Sequence, residues 1–130
     1  MAEFTITERK TRLTENMKSK FYATAFPVSD VEVFKSELTK IQKENPKARH
    51  VVYAYRIGVN SKSCDDKEPK GTGGRPILEL LNKKHLNNIA IVVVRYYGGV
   101  QLGAGRLLRT YLGSAINVLE ECEVVEIGGK

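Results

Sequence analysis

Two stretches of this chain combine glycine, fixed charge and carboxylates at spacings that chemistry could use. The first is Asp65-Asp-Lys-Glu-Pro-Lys-Gly-Thr-Gly-Gly-Arg-Pro76, and the second is Arg95-Tyr-Tyr-Gly-Gly-Val-Gln-Leu-Gly-Ala-Gly-Arg106. Glycine gives up side-chain packing, so it gathers where backbone takes positive φ or where another group approaches closely. Successive amides at Gly71–Gly74, beside a helix start and Arg75, can form an anion-binding nest; the plainer reading is a glycine-rich turn into a helix. Neither stretch is a nucleotide motif. Gly98 and Gly103 have Walker spacing, but Ala104 and Gly105 stand where Lys and Ser/Thr belong, and the dinucleotide pattern also fails.

Asp65, Asp66 and Glu68 could bind magnesium, stay solvated, or pair with nearby arginines to hold the glycine loop. Cys64 beside two aspartates is disfavoured as a thiolate nucleophile, because reactive cysteines sit in electropositive surroundings. His50 and His85 make no metal-ligand spacing with Cys64 or Cys122. The expectation is therefore no catalytic residue, no metal and no cofactor. Tyr96 and Tyr97, between arginine and glycines, are placed to stack on bases, although core packing accounts for tyrosines on strands equally well.

The elements that must position these loops follow from periodicity. Phe4–Thr7 starts one strand, with room to continue to Leu13, and Lys20–Phe26 makes another before Pro27. Ser29-Asp-Val-Glu32 matches a capping box, and Val31, Phe34, Leu38 and Ile41 then line one face of a helix that ends at Asn45-Pro46. Val51 to Val59 alternates as a half-buried strand, and Asn60–Lys70 reads as a mobile polar loop. Pro76 opens a short helix, Ile89–Val94 is a buried strand, and Leu107 to Leu119 carries a wide apolar helical face. Cys122–Ile127 can add a short strand. This order predicts an α+β fold, a two-layer sandwich with a roughly four-stranded sheet covered by helices on one face.

All 130 residues fit one domain. The net charge of +6 is uneven: residues 62–109 hold nine Lys/Arg against four Asp/Glu, and residues 110–130 hold one against four. A basic bias over the glycine stretches suits a polyanion or an acidic protein. Two distant cysteines make no disulfide framework, the start has no signal-peptide layout, and the longest apolar run is six residues. A cytoplasmic chain with no membrane partner is the expectation.

Three segments then carry a resemblance: His50-Val-Val-Tyr-Ala-Tyr-Arg-Ile-Gly58, Asp65 through Leu78, and Val93 through Tyr111. They resemble the IMPACT/YigZ family, whose patterns read approximately Asp-Asp-Gly-Glu-Pro-Ser-Gly-Thr-Ala-Gly-x-Pro and Arg-Tyr-Phe-Gly-Gly-x-Lys-Leu-Gly-x-Gly-Gly-Leu. The resemblance spans about residues 15–120. It implies a fold like the second domain of ribosomal protein S-five and domain IV of elongation factor G. It also implies a translation-linked role. Similar eukaryotic domains compete for the ribosome-associated activator of the starvation-responsive initiation-factor kinase, and no enzymatic activity is well established for the family. Lys67, Lys70 and Gly73 replace the usual glycine, serine and alanine, while Gln101 and Arg106 replace a lysine and a glycine. The stretch corresponds to a single IMPACT-type module, without the RWD domain or the ferredoxin-like domain that accompany it elsewhere.

The resulting expectation is a non-enzymatic regulatory module that contacts RNA, the ribosome or a ribosome-associated protein. A purely protein-binding competitor, and a hydrolase or transferase acting on a small phosphorylated substrate, remain as alternatives. The expected binding residues are Asp65, Asp66, Glu68, Gly71, Thr72, Gly74 and Arg75 from the first stretch. From the second they are Arg95, Tyr96, Gly98, Gly99, Gly103, Gly105 and Arg106. Both stretches are expected on one face with Arg75, Arg95 and Arg106 near them; Arg95 and Arg106 read as surface cations, and Arg95, which ends a buried strand, also as a candidate to pair with Asp65 or Asp66.

Overall fold

A computed structural model describes residues 2–128. Strands β1 (Phe4–Ile6), β2 (Lys10–Asn16) and β3 (Ser19–Pro27) precede helix α1 (Val31–Glu44). Strands β4 (His50–Ile57) and β5 (Asn60–Cys64) lead to α2 (Gly74–Lys83), then β6 (Ile89–Tyr96), α3 (Ala104–Leu119) and β7 (Val124–Glu126). Five strands form one sheet in the order β2-β3-β6-β4-β5, and β1 pairs with β7 in a separate ribbon. Every neighbouring pair in the sheet is antiparallel.

The central strand explains its own sequence. β6 is covered on both faces, so Ile89–Val94 runs apolar without alternating. Ile89, Ile91 and Val93 join Phe21, Ala23, Val52 and Ala54 under α2 and α3, with Ile77, Leu81, Leu107, Tyr111 and Ala115 packed onto them. Ala90, Val92 and Val94 face the other way, toward α1. There Phe34 lies among Phe26, Tyr53 and Tyr55, with ring centroids at 6.3, 5.1 and 4.6 Å.

The α+β class is as expected, and three details differ. α1 lies on the opposite face from α2 and α3, so the sheet is covered on both faces. The tyrosines of β4 read as half-buried because their polar tips hide how much ring they give to a core. Secondly, the stretch taken as a loop from Asn60 contains an edge strand, β5, whose polar residues Asn60 to Ser63 show no apolar alternation to detect. Thirdly, α1 is capped by Asp30 and not Ser29, the Asp30 carboxylate accepting from the Glu32 amide at 2.7 Å.

One end of this sheet gathers both glycine stretches. Asn16 pairs with Ser19 where β2 turns into β3, Lys20 pairs with Tyr96 at the end of β6, and His50 at the start of β4 pairs with Arg95. α2 and α3 both begin near this end. The β1–β7 ribbon lies at the other, where Phe4 bridges to Leu86 just before β6.

Candidate functional site

The first glycine loop is folded around its own carboxylates. Asp65 accepts from the Gly71 amide at 2.8 Å through Oδ2, and from the Gly73 and Arg75 amides at 3.0 and 3.4 Å through Oδ1. The expected amide nest is thus filled from within the chain, by a residue that also caps α2. Asp66 accepts from the Val51 amide at 2.6 Å, and its carbonyl accepts from Nδ1 of His50 at 2.6 Å. Thr72 is buried and donates to the Pro69 carbonyl at 2.5 Å. Gly74 is required by close approach: a β-carbon there would stand 2.5 Å from the Cys64 carbonyl oxygen. So Asp65 and Asp66 hold the loop through backbone amides, not through arginines. Among the described residues no group of three His, Cys, Asp or Glu side chains is placed to hold a metal ion.

Glu68 does pair with an arginine. Its Oε2 accepts from Nη1 of Arg95 at 2.7 Å and from the Tyr111 hydroxyl at 2.5 Å. Its Oε1 stands 3.5 Å from Nε2 of His50. Glu68 and Arg95 are only 7% and 5% exposed, which corrects the expectation of Arg95 as a surface cation. The cause is register. Arg95 follows Ile89, Ile91 and Val93 on the face under α3, so it is carried into the core edge with Phe21 beneath its guanidinium at 5.5 Å. Burial first, and the Glu68 hydrogen bond second, push the Tyr111 phenol far above its ordinary range.

The second glycine loop closes over this cluster. Gly98 lies against the β2–β3 turn, where a β-carbon would stand 2.5 Å from the Ser19 amide nitrogen. Gly99 lies between Gly98 and Val100 in the same loop, and Gly103 precedes the first turn of α3, which contains Gly105. Between the two loops is a cavity of about 290 Å³ lined by Glu68 and Pro69 on one side and Gln101 to Gly103 on the other. Arg49, His50, Arg95, Tyr97 and Leu107 complete its wall. The two stretches therefore share one cleft.

Not every expected residue reaches it. Arg75 is exposed on α2 and 3.6 Å from Glu79. Arg106 lines a different cleft, with Arg109, Thr110 and Asn16. Tyr96 donates its hydroxyl to Asn45 at 2.5 Å and packs edge-on against Tyr22, while Tyr97 is the exposed ring, with the Arg49 guanidinium 4.5 Å from its centroid. Arg49 had no signal in the sequence, Gln101 stood out only as a departure from the family pattern, Tyr111 only as part of an apolar helical face, and His50 only as a failed metal ligand. The alternation of β4 held a clue to His50, which shares its parity with Val52 and Ala54. Cys64 is half-buried at the end of β5 against the α1 core, not in a coreless loop. Burial pushes the Cys122 thiol up.

The fold and cleft define an antiparallel α+β module whose first glycine loop is braced by carboxylate–amide hydrogen bonds and by the buried Glu68–Arg95 pair. The chain belongs to the Impact N-terminal domain family, whose model matches residues 17–119. It is 42% identical over 112 residues to "IMPACT family member YvyE" of Bacillus subtilis, covering 84% of this chain and 52% of that protein. It is 36% identical to "IMPACT family member YigZ" of Escherichia coli, covering 85% and 57%, and 36% identical to mouse "Protein IMPACT", covering 68% and 30%. The chain spans about half the length of the bacterial relatives it matches. A crystal structure described as that of a hypothetical protein superposes with a TM-score of 0.90 at 32% identity, covering 96% of this chain and 63% of that one. The two-domain translational regulator Yih1 superposes at 0.51 with 25% identity, covering 91% and 46%. No helix among the described residues is long and apolar enough to cross a membrane.

Proposed function

We propose that this chain is a non-enzymatic, translation-regulating binding module that docks on the ribosome through the basic end of its sheet. The observation that carries the reading is the polarity of its charge. Lys18, Lys20, Arg49, Lys67, Lys70, Arg106 and Arg109 are all exposed on the turns, loops, strand ends and opening two turns of α3 at the glycine end. Glu120, Glu121, Glu123 and Glu126 stand at the other end, on the close of α3 and the β7 segment, where Arg12, paired with Glu120 and Glu121, and Lys84, beside Glu120, offset part of their charge, so the excess of cations lies at the glycine end. A lopsided field of this kind orients a protein on a polyanion before contact is made. The description of Yih1 as a translational regulator points the same way.

The carboxylates of the first glycine loop are engaged in hydrogen bonds to amides, an arginine and a tyrosine, which favours a contact surface over a hydrolytic centre. The test is co-sedimentation of the chain with ribosomes at rising salt. Arg49→Glu together with Arg106→Glu should abolish co-sedimentation while leaving the melting temperature within a few degrees, since exposed substitutions shift stability by less than about 0.5 kcal/mol. Unaltered co-sedimentation of that variant rejects the basic end as the docking surface.

A further inference from the structure

The cleft between the glycine loops contains a buried donor, Arg95, that docking through the rim does not use. Arg95 is 5% exposed, yet among the described residues its guanidinium makes one hydrogen bond to protein, Nη1 to Glu68. Its Nε is buried with no partner. Buried polar groups are almost always satisfied, and an orphaned one marks a place where an acceptor belongs. Here the orphan belongs to a side chain that lines a cavity of about 290 Å³. Arg49 comes to the same cavity from the segment before β4, and Gln101 from the loop before α3. Leu102 and Leu107 give it an apolar wall.

We propose that this cavity binds the phosphate group of a small phosphorylated molecule, with Arg95 on the inner wall and Arg49 and Gln101 at the mouth. The charge of the wall suits an anion. Glu68 neutralises one of the two guanidiniums, so the positive charge of Arg49 has no carboxylate partner in the cavity wall. The spread of the donors over separate elements favours phosphate over carboxylate. Donors arrive from three separate elements, which a tetrahedral oxyanion can accept at once, whereas a carboxylate accepts within one plane. The size favours a molecule over a bare ion, since the volume lies at the lower end of the roughly 300–1,000 Å³ seen for small-molecule pockets. Arg95 is pre-positioned by Glu68, so binding costs little side-chain ordering. No bond is made or broken in this role.

The test is a titration of the isolated chain, without ribosomes, so it stands or falls separately from the docking reading. Probes are inorganic phosphate, adenosine 5′-monophosphate and adenosine, at constant ionic strength held with chloride. Inorganic phosphate and the monophosphate should shift the side-chain Nε–H resonance of Arg95 in ¹H–¹⁵N spectra, with dissociation constants of about 1 mM or tighter. Adenosine should not. Arg49→Ala should weaken the monophosphate about tenfold, the scale of one charge-assisted hydrogen bond, while Lys35→Ala on the opposite face leaves it unchanged. No movement of the Arg95 resonance with either phosphate probe up to about 10 mM overturns the proposal. So does an equal response to adenosine, or equal weakening by both substitutions.

Discussion

Glu68 joins the loop before α2 to the central strand and to α3, because one carboxylate serves Arg95, Tyr111 and His50 together. Removing it leaves a buried guanidinium without its counter-charge, a loss of about 3–5 kcal/mol. Glu68→Ala should therefore lower the urea midpoint sharply, and a change under about 1 kcal/mol in urea denaturation would show that the cluster is not what binds these elements. Tyr111 gives the same site a pH signature. Its folded pKa is raised and the unfolded phenol titrates near 10, so the unfolded state loses its proton first. Stability is fully present below about pH 10 and falls as pH rises beyond it. Tyr111→Phe should flatten that alkaline decline in thermal melts; an unchanged slope would place the sensitivity elsewhere. Arg95 shows what residue types alone conceal. An arginine flanking a glycine run reads as surface charge, but its burial depends on a glutamate 27 positions earlier and on strand parity, neither of which composition reveals.

At the scale of elements, apolar runs were legible and polar scaffolding was not. β6 and α3 were read from their apolar residues, whereas β5 was missed because an exposed edge strand needs no alternation. The side on which α1 packs was equally hidden, since a helix stripe states that a core exists and not which face of the sheet supplies it. The loop between β5 and α2 shows a local conflict that a substitution can test. Lys67 sits at φ +67°, a left-handed conformation that costs a residue with a β-carbon about 1 kcal/mol or more. The family pattern places glycine there. Lys67→Gly should raise stability by up to about 1 kcal/mol in chemical denaturation, and any destabilisation would mean that the lysine side chain holds the loop. Asp65→Ala is the counterpart. It strips the Gly71, Gly73 and Arg75 amides of their acceptor and should cost about 1–3 kcal/mol.

Over the whole molecule, the segment charges read from sequence became a spatial dipole only when the strand order placed both glycine loops at one end and the β1–β7 ribbon at the other. Net charge and polarity make different predictions. If net positive charge alone drew this chain to ribosomes, Glu123→Lys with Glu126→Lys would strengthen binding, because it makes the molecule more basic. If the glycine end docks, the same change at the far end alters affinity little, since charges beyond about 10 Å are screened at 0.1 M salt. Both glutamates are exposed, and Glu126 lies on β7, so the fold should tolerate the exchange. The decisive measurement is the slope of log affinity against log salt, which counts the phosphates neutralised. It should be the same for the far-end variant as for the natural sequence. Removing two basic-end arginines should make it shallower by about two. A far-end variant that binds more tightly with a steeper slope would replace oriented docking with undirected attraction.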